Sequence, residues 1–226
     1  MKTAEALPPV HIGRVVRNAQ VFNFRNPRGK AVSDSALFDT VARLFALLAE
    51  RRVDYLLVGG IALLSYVEGR NTEDIDLVVP PSAVKDVPEI RITGEDGDFR
   101  RGLFDGLQVD LLLTSRPLFA RVRKRHATMQ PFVEREIPCA TVEGLLILKL
   151  YALPSLYRQG DLIRVALYET DVLSLLDRYR PPVEPLFMEL KPYLPPNDLA
   201  AARDIVAEIQ QKIARFDRGP GRSGGA

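Results

Sequence analysis

The residues best suited to chemistry are acidic. Asp74 and Asp76 flank Ile75 in the run Glu73-Asp74-Ile75-Asp76-Leu77-Val78-Val79. In a strand alternate residues face the same side, so the two carboxylates project together while Ile75 and Leu77 face the core. Two like charges side by side on an apolar strand repel, and a divalent cation removes that cost. An all-oxygen donor set suits Mg²⁺ or Mn²⁺ rather than zinc. A third carboxylate, Asp110, lies within the apolar run Gln108-Val109-Asp110-Leu111-Leu112-Leu113. If that run is a neighbouring strand, Asp110 completes the set. Three carboxylates can hold two metal ions roughly 3.5–4 Å apart, an arrangement that serves the attacking and leaving oxygens of phosphoryl or nucleotidyl transfer.

A second feature precedes the acids. The apolar segment Val53–Val58 ends in Gly59-Gly60, and thirteen residues, 61–73, separate the glycines from Asp74. Without Cβ atoms, backbone can approach a triphosphate closely, and the N–H groups of a helix starting there favour anions. Alone, a Gly-Gly pair is most often a turn, and an Asp-x-Asp occurs in many settings. In this order and at this spacing they are far more specific.

Hydrophobic, Gly, Gly, a spacer, then Asp-hydrophobic-Asp-hydrophobic resembles the nucleotidyltransferase superfamily with the polymerase-beta-like fold. Val58-Gly59-Gly60, Asp74-Ile75-Asp76-Leu77 and Val109-Asp110-Leu111 carry the resemblance, over roughly residues 37–113. Gly69-Arg70-Asn71-Thr72-Glu73-Asp74-Ile75-Asp76 is similar to the Arg-x-Thr-x-Asp-hydrophobic-Asp stretch of AbiEii/MenT-like nucleotidyltransferases, many of which are toxins of toxin–antitoxin pairs. Those proteins carry a helical C-terminal half with a Lys on one helix and an Asp on the next. Lys149 in 141–150 and Asp171 in 169–173 occupy such places. The chain departs from that pattern at Gly144, where an acid is common, and at 167–170, where a Lys-Asp pair often precedes.

The resemblance implies a metal-dependent, pyrophosphate-releasing transferase with an NTP as substrate. Asp74, Asp76 and Asp110 would bind Mg²⁺ or Mn²⁺, and Gly59, Gly60, Arg70, Thr72 and Lys149 would bind the nucleotide. Lys149 and Asp171 would join the acids as catalytic residues. The acceptor it implies is the 3′ end of tRNA, with a cognate antitoxin as partner. Thr72 is a place where a kinase partner would put negative charge in the way of nucleotide. Other acceptors fit the same chemistry, namely an aminoglycoside-like small molecule or a protein hydroxyl, as does a non-catalytic interaction module of the same fold. Read without the resemblance, Lys149 is a surface lysine laying its stem along apolar neighbours, and Asp171 is a helix-surface acid.

Around these residues the pattern is α+β. The spacing of Leu37, Phe38, Val41, Leu44, Phe45 and Leu48 predicts a helix over 35–50. Buried strands follow at 53–58 and 73–79, with a short helix over 61–67 between them. Strands joined by tight turns fill 90–113, with Gly94–Gly97 and Asp105-Gly106 as turn chemistry. A basic helix spans 117–126 and a short strand 132–137. Helices then occupy 145–153, 162–176 and 198–216. The expected domains are a basic N-terminal arm over 1–30, a nucleotidyltransferase mixed sheet flanked by helices over 31–140, a C-terminal helical bundle over 141–216 and a disordered tail over 217–226. Arg121, Arg123, Lys124 and Arg125, with Arg116 and His126 nearby, form the densest positive cluster; beside an active site they would track RNA phosphates.

Composition bounds the remainder. The 226 residues are 46% hydrophobic with net charge +2, which excludes wholesale disorder. A single cysteine, Cys139, excludes the internal disulfide scaffolds of small secreted proteins. The longest apolar segments, 55–64 and 144–153, fall short of the roughly 18 residues a membrane span needs. The first ten residues lack the apolar core of a signal peptide. A cytoplasmic protein with no membrane partner is the expectation.

Overall fold

A computed structural model describes residues 34–67, 74–132 and 135–217. Contacts divide the chain into two compact units, one ending at Thr141 and one beginning at Val142. The first is α+β and the second is helical. Arg70, Thr72, the basic arm over 1–30 and the tail beyond Asp217 lie outside the described residues.

In the first unit the described residues begin with α1 (Asp34–Glu50). Val41, Leu44, Phe45 and Leu48 recur at helical spacing and are buried. Next come β1 (Leu56–Val58), the short α2 (Gly59–Leu64) and β2 (Asp74–Val79). After a one-turn α3 (Ala83–Asp86), three strands follow: β3 (Arg91–Asp96), β4 (Phe99–Phe104) and β5 (Leu107–Leu113). Helix α4 (Pro117–Arg125) leads into β6 (Ala127–Phe132) and β7 (Arg135–Ala140). The seven strands form one sheet in the order β3-β4-β5-β2-β1-β7-β6. It is mixed: β1 runs antiparallel to β2 and parallel to β7, and β2 runs parallel to β5.

Local chemistry explains the elements that matter for position. β1 is buried throughout, as suits a strand with neighbours on both edges, β2 and β7. β2 alternates, with Ile75 and Leu77 buried and Asp74 and Asp76 half-buried. Asp105 and Gly106 both take positive φ, 49° and 84°, which is the backbone a two-residue hairpin of this twist requires. That turn sets the β4/β5 register, Phe104 opposite Leu107 and Arg101 opposite Asp110. Phe45 anchors the aromatic part of the core, stacked on Tyr55 at 5.9 Å and edge-on to Phe132 at 5.1 Å.

Two expectations are corrected. The turn placed at Gly94–Gly97 begins later, because β3 runs through to Asp96 and the chain reverses at Gly97, where φ is +53°. The ladder slips between Ile92 and Gly94, so that stretch is an irregular edge strand rather than a turn. The single strand expected over 132–137 is instead the end of β6 and the start of β7.

The second unit holds α5 (Val142–Gln159), α6 (Leu162–Tyr179), α7 (Val183–Leu190) and α8 (Pro196–Asp217). Asp161 caps α6 by accepting from the Arg164 N–H, and Gly160 supplies the positive φ of 69° that lets α5 end and α6 begin. Helix α7 was not expected. Pro181 and Pro182 suggest a break, but Pro182 occupies the cap position and an N-terminal proline suits the first turn that follows. Among the described residues no helix is long and apolar enough to cross a membrane.

Candidate metal and nucleotide site

Asp74, Asp76 and Asp110 offer carboxylate oxygens that lie within 4.8 Å of one another. Register accounts for the convergence. β2 and β5 are parallel neighbours with Asp76 opposite Asp110 and Asp74 opposite Gln108. All three acids therefore share one sheet face, and adjacent strands bring Asp76 and Asp110 side by side. Asp110 is buried, 4% exposed, while Asp74 and Asp76 are half-buried.

The diglycine turn abuts this face. Val58, the last residue of β1, pairs with Asp76, and Gly59 follows at φ +65°. A Cβ built on Gly59 would lie 1.7 Å from Asp76 Oδ2 and 2.4 Å from its Cγ. No side chain fits there without moving the carboxylate. Gly59 thus lets backbone rest directly on a member of the acid set, and its left-handed φ favours glycine independently. Gly59→Ala is expected to leave a folded protein whose Asp76 is displaced. Its Mn²⁺ affinity, measured by titration, should fall on the order of tenfold or more; an affinity equal to wild type would show that the close approach is irrelevant to the acids.

Sequence reasoning missed the cation on this face. Arg101 donates from Nε to Asp110 Oδ1 at 3.2 Å and from Nη2 to Oδ2 at 3.4 Å. Gln108 Nε2 donates to the same Oδ1 at 3.3 Å. Hydrogen bonding to Asp110, then that carboxylate's charge, holds the Arg101 guanidinium above its ordinary value, and Asp74 and Asp76 add to the effect. A signal was available: a two-residue turn at Asp105-Gly106 implies the register that sets Arg101 opposite Asp110.

Lys149 and Asp171 meet in the helical unit. Lys149 Nζ lies 2.6 Å from Asp171 Oδ2, with side-chain exposures of 6% and 3%. The Tyr168 ring faces the ammonium at 3.9 Å from its centroid. Neither residue is the surface group that its local sequence allows.

The basic helix is less uniform than its sequence. Arg123 pairs with Asp54, and Arg116 with Asp98 at 3.2 Å. Lys124 and Arg125 are exposed, and Arg121 is half-buried. Cys139 is fully buried, and burial pushes its thiol up to about 12, which makes it an inert core residue.

No family model matches the chain, and no curated protein matches it. Solved structures do. It is similar to an antigenic nucleotidyltransferase-like protein from Paracoccidioides brasiliensis, at 17% identity over 78% of this chain and 89% of that one, TM-score 0.49. It is also similar to a putative nucleotidyltransferase from Thermotoga maritima, at 12% identity over 59% and 93%, TM-score 0.43. A third similar structure is ANT(2'')-Ia in complex with adenylyl-2''-tobramycin, at 15% identity over 74% and 96%, TM-score 0.47.

Proposed function

We propose that this chain is a metal-dependent nucleotidyltransferase that moves a nucleotide from an NTP to an acceptor hydroxyl. The observation that carries the reading is the meeting of three carboxylates from two parallel strands within 4.8 Å, with the Gly59 backbone against one of them. The donor set fits Mg²⁺ or Mn²⁺: it is all oxygen, concentrated on one face and partly open to solvent. Asp74, Asp76 and Asp110 would hold the metal. Bound there, it would neutralise phosphate charge and lower the barrier to in-line displacement.

The chain's own groups divide the remaining work. The spatial order is Gly59, Asp76, Asp110, Arg101, as β1, β2, β5 and β4 lie side by side. Gly59 and Gly60 take the triphosphate side. The acceptor enters on the Asp110 side, where its oxygen attacks the α-phosphorus, the bond from that phosphorus to the bridging β-oxygen breaks, and pyrophosphate leaves. Asp110 takes the hydroxyl proton. The resemblance also assigns nucleotide binding to Arg70, Thr72 and Lys149 and a catalytic role to Asp171, which pairs with Lys149 at 2.6 Å.

For the acceptor we propose the 3′ end of tRNA, with the protein acting as the toxin of a toxin–antitoxin pair. Arg101 brings positive charge to the acceptor side, and Lys124 and Arg125 are exposed on α4 of the same unit. Both favour an acceptor that carries phosphate. The test is incubation of the purified protein with Mg²⁺, each labelled NTP in turn, and three acceptors: total tRNA, an aminoglycoside and a protein extract. Label in tRNA, lost on chelation with EDTA, is the expected result. Label in the aminoglycoside or in protein alone would overturn the tRNA assignment and keep the chemistry. No transfer to any acceptor and no pyrophosphate release would leave an interaction module of the same fold.

A further inference from the structure

We propose that Arg101 is a resident counter-cation of the acid set, one that the divalent metal must displace from Asp110 before the site is competent. This rests on the reading that Asp74, Asp76 and Asp110 bind metal. Three observations carry it. Arg101 reaches both carboxylate oxygens of Asp110, at 3.2 and 3.4 Å, while Gln108 takes a further position on Oδ1 at 3.3 Å. Asp110 is buried, so its charge needs a partner at all times. Arg101 is the reverse: its side chain is 45% exposed, against 6% for that of Asp110, so the guanidinium can leave into solvent while the carboxylate stays.

Competition follows from charge and from lone pairs. The fork of an arginine occupies the two facing lone pairs of a carboxylate. A dication on the same oxygens would stand a few ångströms from a fixed positive charge. Three carboxylates and one guanidinium leave the face with two formal negative charges, enough to attract a divalent ion but fewer than the acids alone present. Arg101 therefore stabilises the metal-free site and weakens metal binding. Its release couples metal entry to the appearance of a free guanidinium on the acceptor side, where an anionic group of the incoming substrate would meet it.

The experiment is Mn²⁺ titration of the full chain, followed by electron paramagnetic resonance of the free ion. Wild type, Arg101→Ala, Arg101→Gln, Arg101→Lys and Asp76→Asn are compared. Removing the charge is expected to tighten Mn²⁺ binding on the order of tenfold in the Ala and Gln variants, with Lys between them and wild type. Arg101→Gln keeps a hydrogen-bond donor near Asp110 and serves if the Ala variant fails to fold. In the wild type, the Arg101 Nε–H resonance should move on Mg²⁺ saturation, a readout that needs no variant. Equal or weaker Mn²⁺ binding in Ala and Gln, with Asp76→Asn still losing the ion, would overturn the proposal while the metal site stands. An Arg101 resonance untouched by saturating Mg²⁺ would overturn it too. If wild type and Asp76→Asn alike take up no Mn²⁺, the metal reading fails and this inference goes with it.

Discussion

Asp76→Asn is expected to reduce pyrophosphate release on the order of 10³-fold while leaving the metal-free protein slightly more stable than wild type. The two effects have one cause. Asp76 sits opposite Asp110 across β2 and β5 and on the same strand face as Asp74. Like charges at such positions destabilise a sheet, each by up to about 1 kcal/mol. An amide of the same shape removes a negative charge from the cluster, so the melting temperature without metal should rise by about 2–4 °C. The same substitution removes a metal ligand with the charge that makes it useful. A purely structural acidic patch predicts the stability gain without the loss of activity. Activity within about tenfold of wild type would therefore remove Asp76 from the site. The measurements are steady-state pyrophosphate release and thermal melts with and without Mn²⁺. Wild type should gain stability from Mn²⁺, and the variant should gain much less.

Lys149→Ala is expected to cost about 3–5 kcal/mol of folding stability, the range found when one partner of a buried ion pair is removed. The pair is deep in the helical unit, at 2.6 Å, with side-chain exposures of 6% and 3%. Truncation would leave the buried Asp171 carboxylate without its cation and would remove the ammonium from the face of the Tyr168 ring. The paired replacement Lys149→Met with Asp171→Leu removes both charges at similar volume and should come near to wild-type stability. Urea denaturation of both variants checks this; a loss below about 1 kcal/mol in Lys149→Ala would mean that water reaches the pair. The double variant also separates structure from chemistry. If it folds and still transfers nucleotide at the wild-type rate, Lys149 and Asp171 are a structural pair and the role assigned to them by resemblance is wrong.

The acid residues were legible because a strand leaves few alternatives. Period two places Asp74 and Asp76 together, and an acid inside the apolar run 107–113 has to be explained by a partner or an ion. Gly59 was legible as a backbone feature but not as a contact. Its reason, the Asp76 carboxylate lying where a Cβ would go, exists only once β1 pairs with β2. Arg101 was in principle readable from the Asp105-Gly106 turn and was missed because its own strand, Phe99–Phe104, carries no apolar alternation to draw attention to it. Lys149 and Asp171 lay beyond local reading: periodicity gives the width of an apolar stripe, and a lysine at the edge of one can point outward or inward. Only the packing of α5 against α6 decided that this one points inward.

From its order of residues alone, this chain determined an α+β layout, a strand with two acids on one face, a diglycine turn at a set distance before it, and a helical second half. Those are short-range consequences of backbone periodicity and of turn chemistry. The tertiary structure decided that β5 lies next to β2 and parallel to it, which brings Asp110 to Asp76. It also decided that an arginine stands over the result. Strand adjacency is set by how the whole sheet buries its apolar faces, a long-range balance that no local stretch of sequence records.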